Sequence, residues 1–198
     1  MENRFSFIIP LYNRPQEIQE LLESLKNLNF NQPFEVVIIE DGSTIPSEEI
    51  IERYNKNLDI QYIVKENTGP GDSRNYGMRR ANGNYFIILD SDVILPKNYL
   101  LEVDTFLKQK NIDFFGGPDT AHRSFSSVQK AINYSMTSML TTGGIRGNNI
   151  SDAQFEPRSF NMGISKEAFL ASGGYGNIHP GEDPDLSIRL KKMGFKSA

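Results

Sequence analysis

No cysteine occurs anywhere in the 198 residues, which excludes a disulfide scaffold and a cysteine-ligated zinc site. Histidine occurs only at His122 and His179, a separation that gives no metal-ligand spacing. There is no basic excess either: the formal net charge is -4, and general nucleic-acid binding needs a basic face. No apolar run approaches the roughly 20 residues of a membrane span. The opening "MENRFSFIIPLYNR" is too short and too interrupted for a signal peptide. Internal repeats, low-complexity tracts and linkers are missing as well. What remains is a chain of single-domain length with room for a real core, and its 38% hydrophobic and 23% charged residues read as a cytosolic globular protein.

Two kinds of segment alternate along it. Apolar runs suited to buried strands stand at 5–10 ("FSFIIP"), 34–39 ("FEVVII"), 60–64 ("IQYIV"), 85–89 ("YFIIL") and 112–117 ("IDFFGG"). Helical patterns lie between them. Ile18, Leu21, Leu22, Leu25 and Leu28 share one helix face behind Pro15, a first-turn proline. Ile50, Ile51 and Tyr54 repeat the spacing briefly, a third helix is predicted from Asp72 to Ala81, and a fourth from Tyr99 to Lys110. Further on, "SSVQKAINYSMTSML" reads as a helix and "TTGGIRGNNISDAQ" as a loop. "SFNMGIS" returns to the sheet, "KEAFLAS" is a short helix, and "DPDLSIRLKKMG" is a capped helix ending at Gly194. This order predicts an α/β fold with a mainly parallel sheet, whose ligands bind beyond the carboxyl ends of the strands.

Polar residues converge on that edge: Asn13 and Arg14 after the first strand, Glu40 and Asp41 after the second, Asn67 to Gly71 after the third, Asp90 and Asp92 after the fourth. A carboxylate at the end of a buried strand is unfavourable unless something pairs with it. Asp90 and Asp92 in "DSD" can offer oxygens to a hard cation, with phosphate oxygens completing the sphere; alone, such a triplet is ordinarily a turn or a helix cap. "EDGST" is an ordinary turn, or a carboxylate placed to accept from the ring N–H of a base. "NTGPGDSRNYG" permits close backbone approach and puts Arg74 where it can meet an anion, or it is a tight turn with a solvated arginine. It is not a P-loop, since no Gly-Lys-Ser/Thr follows. In "HPGEDPDLSIRL", Asp183 reads as an N-cap with Pro184 at the first helical position, yet capping needs only one of the two acids Glu182 and Asp183.

Taken together, "FSFIIPLYNR", "VVIIEDGST", "NTGPGDSRNYGMRRANGNYFIILDSD", "FNMGISKEAFLASGGYG" and "GEDPDLSIRLKKMGF" resemble the inverting glycosyltransferases of family 2, over about residues 5 to 195. The resemblance implies a GT-A fold, Rossmann-like, as a single domain over 1–198 with a nucleotide-binding half at about 1–117 and an acceptor-side half at about 118–198. It implies that Pro10, Leu11, Tyr12, Asn13 and Arg14 form the loop around the nucleotide base, with Asp41 bonding the base ring, Glu40 beside it, and Gly69 and Arg74 near the base and diphosphate. Asp90, Ser91 and Asp92 match the motif that holds the diphosphate through Mn2+ or Mg2+, Asp90 and Asp92 being the metal ligands. Asp183 matches the base that deprotonates the acceptor, with Glu182 as its orienting neighbour. Gly173 and Gly174 lie where the family shapes the donor-sugar and acceptor pocket. Relatives usually continue with another strand and a metal-binding histidine, so the expectation is a domain cut short at its C-terminus.

The implied reaction is transfer from a nucleotide sugar, a UDP-sugar by family preference, to a glycan, lipid-linked or other hydroxyl acceptor, as in polysaccharide biosynthesis. The cytoplasm is the expected location, the inner face of the membrane being open to peripheral association. Two other classes stay open: a sugar-phosphate nucleotidyltransferase, although "PLYNRPQE" lacks that class's Gly-rich basic loop, and a nucleotide-sugar binding module without turnover.

Overall fold

Phe5–Leu11 form the first strand, β1, because six of these seven side chains are apolar enough, or well enough bonded, to be buried on both faces of a sheet. The computed structural model describes residues 4–117, 157, 159–178 and 181–198. Among these, β1 is followed by α1 (Pro15–Lys26), β2 (Glu35–Asp41), α2 (Glu48–Glu52), β3 (Asp59–Lys65), α3 (Pro70–Arg80), β4 (Tyr85–Leu89), α4 (Tyr99–Gln109) and β5 (Phe114–Gly116). Beyond residue 156 come β6 (Asn161–Ser165), α5 (Lys166–Ser172) and α6 (Glu182–Lys192). The helix and loop expected over 126–154, together with His122 and His179, lie outside the described residues.

The sheet order is β3-β2-β1-β4-β6-β5. β1 pairs parallel with both β2 and β4, and β2 with β3, as expected for the alternating half. β6 enters antiparallel between β4 and β5, so the "SFNMGIS" segment does return to the sheet, in reversed direction. Lys196 and Ala198 exchange backbone bonds with β5, and Ser197 bridges Phe114 in parallel.

Alternation along the strands sends side chains into two cores. Phe7, Ile9, Ile38, Ile87 and Leu89 pack with Ile18, Leu22, Leu100 and Val103 from α1 and α4. Ile8, Val37, Ile39, Phe86 and Ile88 pack with Met78, Phe169, Leu186 and Leu190 from α3, α5 and α6. Each such burial stabilises by about 1.5–3 kcal/mol. The result is a helix–sheet–helix sandwich. Its strand order reverses between β1 and β4, the position at which open α/β sheets leave a crevice at the carboxyl edge.

Two helix starts differ from the sequence expectation. α3 begins at Pro70, not Asp72, since proline pre-sets the first helical φ. α6 begins at Glu182 with Gly181 as its N-cap, which corrects the reading of Asp183 as cap and Pro184 as first residue. Gly181 has φ 118, a conformation that favours glycine, and Pro184 is tolerated within the first turn because no intrahelical bond needs its missing N–H. Asp183 is thereby left in the first turn with its side chain available for other work. Among the described residues no helix is long and apolar enough to cross a membrane.

Candidate functional site

At the carboxyl edge, the loop after β1 is tied to the loop after β2. Asn13 adopts φ 53, and its side-chain oxygen accepts from Thr44 N at 2.8 Å and Ile45 N at 3.0 Å, while its own N–H donates to Ser43 Oγ at 2.8 Å. Glu40 is buried beneath this junction, accepting from the Ser43 hydroxyl, Ser47 N at 3.1 Å and the Tyr62 hydroxyl at 3.1 Å. Burial first, and then Glu40, push the Tyr62 hydroxyl well above the ordinary tyrosine range. The structure therefore places Glu40 as a support under the loop. Leu11 belongs to the core, whereas Tyr12 and Arg14 stand exposed above it. Arg14 Nη1 is 3.1 Å from Glu17 and 3.7 Å from Asp92, so it reaches across the β1–β4 crevice.

Asp41 ends β2, and its register partner on β3 is Lys65. Its Oδ1 accepts from Lys65 Nζ at 2.5 Å and Thr68 N at 3.0 Å, and its Oδ2 accepts from Gly69 N at 2.9 Å. Lys65 also donates to the Thr68 hydroxyl and to Glu66 O, and Thr68 donates to Asp72 Oδ2. Asp41 thus organises the 65–69 loop. Sequence reasoning missed Lys65; the available signal was a lysine ending an apolar strand beside one that ends in aspartate.

The centre of the edge is Arg74, on α3 and only 5% exposed. Its Nη2 donates to Asp90 Oδ1 at 3.0 Å, and its Nη1 lies 3.5 Å from Glu182 Oε1 and 4.0 Å from Asp183 Oδ1. The guanidinium sits 5.4 Å from the centroid of the Tyr175 ring, a cation–π contact, and Nε and Nη1 have no hydrogen-bond partner among the described residues. Burial pushes the Asp90 carboxyl up, Arg74 pulls it back, and Asp92 and Asp183 push it up again, leaving it above the usual value. Ser91 is buried and Asp92 exposed. Glu182 folds back to accept from Gly181 N at 3.1 Å, and Asp183 Oδ2 accepts from the Ser159 hydroxyl at 3.1 Å. Arg74, Asp90, Glu182 and Asp183 are therefore brought together; Asp41 belongs to the neighbouring Lys65 cluster. Tyr175, within "FNMGISKEAFLASGGYG", and Ser159, just before it, are further residues to which the sequence assigned no role.

Gly173 and Gly174 both have left-handed backbones. Tyr175 N donates to Asn75 Oδ1 and Asn75 Nδ2 donates to Tyr175 O, each at 2.8 Å, while Arg189 donates to Ser172 O and Gly174 O. The two glycines form the turn that docks α5 and α6 onto α3, immediately before the aromatic ring under Arg74.

Among the described residues no group of three or more metal-ligating side chains occurs. Asp90 and Asp92 alone supply hard carboxylate oxygens at one strand end, a donor set that suits a hard cation when phosphate and water oxygens complete the sphere.

Residues 6–169 match the family model described as glycosyl transferase family 2. The chain belongs to glycosyl transferase family 2. Among its relatives, an uncharacterized glycosyltransferase of Rickettsia bellii is 33% identical over 145 residues, 73% of this chain and 20% of that protein. The poly(ribitol-phosphate) beta-N-acetylglucosaminyltransferase TarS of Staphylococcus aureus is 36% identical over 113 residues, 56% of this chain and 20% of TarS. The TarS 1-349 structure superposes with TM-score 0.71 at 23% identity, covering 94% of this chain and 55% of that one. The mannosyltransferase PcManGT of Pyrobaculum calidifontis, solved with GDP-Man and Mn2+, superposes with TM-score 0.78 at 17% identity, covering 100% and 54%. The likeness establishes the expected GT-A fold. The chain spans about a fifth of the length of these curated relatives and about half of the solved chains.

Proposed function

We propose that this domain transfers a sugar from a nucleotide-sugar donor, a UDP-sugar, to an acceptor hydroxyl with inversion. The observation that carries the reading is Arg74, which joins the β4 carboxylate Asp90 to the α6 carboxylates Glu182 and Asp183 at the carboxyl edge. A donor lying along β1, β2 and β4 would place its anomeric carbon toward α6. In this reading residues 1–117 hold the nucleotide, with exposed Tyr12 and the Asp41 carboxylate toward the base and Arg74 toward the diphosphate, and residues 118–198 face the acceptor. Solved neighbours in complex with UDP, UDP-GlcNAc and GDP-Man support a nucleotide sugar as ligand.

The chemistry is one displacement. The acceptor oxygen forms a bond to the anomeric carbon as its proton passes to an Asp183 oxygen, and the bond from that carbon to the diphosphate breaks with its electron pair leaving on the diphosphate oxygen. Mn2+ or Mg2+, held by Asp90 and Asp92, would supply neutralisation of the leaving diphosphate. Arg74 adds a fixed positive charge beside the same group. The acceptor is a glycan, lipid-linked or other hydroxyl compound, met in the cytoplasm or at the inner face of the membrane.

The test uses the full-length protein with UDP-N-acetylglucosamine, UDP-glucose and GDP-mannose, reading thermal shift and nucleoside-diphosphate release. One donor should stabilise the protein and be turned over. Asp183→Asn should keep the donor-induced shift and lower release by roughly 10²–10⁴, the loss expected for a general base. Stabilisation without any release would make the domain a binding module, and a wild-type rate in Asp183→Asn would remove that residue from the mechanism.

A further inference from the structure

Asp183 has one oxygen that is held and one that is not. Oδ2 accepts a 3.1 Å hydrogen bond from Ser159 Oγ, and since a carboxylate has no proton to give, the serine is the donor. Oδ1 is shielded from water, has no hydrogen-bond partner among the described residues, and lies 4.0 Å from Arg74 Nη1. That distance is beyond hydrogen-bond reach. A buried, unbonded carboxylate oxygen beside an unbonded guanidinium nitrogen is unfavourable, and a small side-chain rotation would close the pair into a direct charge-assisted bond. The Ser159 hydroxyl is the contact that opposes this rotation.

The serine is itself fixed. It is 4% exposed and sits in the turn leading into β6. Two residues earlier, Pro157 O accepts from Ser187 Oγ at 3.3 Å, and Ser187 is fully buried on α6. One helix therefore carries Asp183 and also anchors the segment that carries Ser159. Hydroxyl and carboxylate are set in a single frame.

We infer that Ser159 is a positioning residue for the proposed base. It bonds Oδ2 so that Oδ1 stays off Arg74 and remains available to take the acceptor proton. A carboxylate oxygen drawn into a direct bond with the guanidinium would already be engaged as an acceptor and turned away from the acceptor hydroxyl. The inference rests on the reading of Asp183 as base and assigns a role to a residue outside the recognised motifs.

The experiment uses the full-length protein and whichever of UDP-N-acetylglucosamine, UDP-glucose and GDP-mannose gives the largest thermal shift. Nucleoside-diphosphate release is measured for kcat and KM, with UDP or GDP affinity by calorimetry and melting temperature alongside. Ser159→Ala should lower kcat about tenfold, the value of one hydrogen bond to a charged group, and leave KM and diphosphate affinity within about twofold. Ser159→Thr, which keeps the hydroxyl, should restore kcat. In an Asp183→Asn background, Ser159→Ala should add no further loss, because residues acting as a unit are not additive. An unchanged kcat in Ser159→Ala, or losses that multiply with Asp183→Asn, overturns the inference and leaves the base assignment standing. A wild-type rate in Asp183→Asn overturns the base assignment and this inference with it. Should Ser159→Ala fail to fold, the equally shaped Ser159→Thr and Ser159→Val replace it. A slow valine variant beside an active threonine variant supports the inference, and equal rates refute it.

Discussion

Glu35 is a carboxylate buried at the amino end of β2, on the opposite edge of the sheet from the site. Its Oε1 accepts from Ser6 Oγ and Asn82 N at 2.5 Å and from Gly83 N at 3.0 Å, and its Oε2 accepts from Asn82 Nδ2 at 3.0 Å. Burial alone would push its carboxyl up, but these donors outweigh it and hold the group below 4.5. A depressed folded-state pKa means stability that is present above the unfolded value and is lost as pH falls through the folded one. Glu35→Gln should therefore cost about 1.5–3 kcal/mol near neutral pH, the range for hydrogen bonds to a charged group. The difference between variant and wild type should shrink as the pH is lowered below 4.5. Urea unfolding at both ends of that range checks it, and an equal difference at the two pH values would show that the charge is irrelevant. Neither Glu35 nor Lys65 was singled out in the sequence. Their partners lie far along the chain, 47 residues from Glu35 to Asn82 and 24 from Asp41 to Lys65, and come together only when the sheet forms.

Among the elements, the inner parallel strands β1, β2 and β4 were legible because burial on both faces requires unbroken apolar runs such as Tyr85 to Leu89, and α5 matches its predicted segment residue for residue. The antiparallel insertion of β6 was not legible, since a short run containing Asn161 and Gly163 says nothing of direction. The turn after α5 supplies a test of how the elements dock. Gly173 has φ 75 and, among the described residues, no atom within 4 Å of where a Cβ would go, whereas Gly174 has φ 78 and a Cβ there would collide with Asn75 Oδ1 and the Phe169 ring. Both alanine variants incur the left-handed backbone penalty of about 1–2 kcal/mol. Only Gly174→Ala must also displace Asn75, the residue that clasps Tyr175 under Arg74. Gly174→Ala should thus unfold at a clearly lower temperature than Gly173→Ala and should weaken turnover in whatever fraction stays folded. Equal melting temperatures would mean that α3 and the turn shift freely, contrary to the clasp.

For the molecule as a whole, the working edge is acidic among the described residues. Asp41, Asp72, Asp90, Asp92, Glu182 and Asp183 gather there against Arg14, Lys65 and Arg74, and each of these cations already lies within 4.0 Å of a carboxylate. The chain as a whole carries a net charge of -4. A nucleoside diphosphate brings further negative charge to this edge, and like charges at close range in a partly buried crevice repel strongly. Binding of the diphosphate should therefore require a divalent cation, while binding of the base and ribose should not. UDP should stabilise the full-length protein in Mn2+ far more than in EDTA, and uridine should bind equally in both. Asp92 is the place to probe this, because Asp90 is bonded to buried Arg74 and its removal would strand that charge. Asp92 is exposed and its ion pair with Arg14 at 3.7 Å is a surface one, so Asp92→Asn should leave the fold intact. The variant should lose at least about tenfold of UDP affinity in Mn2+, as expected when one of two protein ligands of a hard cation is neutralised. In EDTA its affinity should match the wild type, and uridine affinity should not change in either buffer. Equal losses in Mn2+ and EDTA would show that Asp92 acts through the loop and not through a cation, leaving Arg74 as the diphosphate's counter-charge.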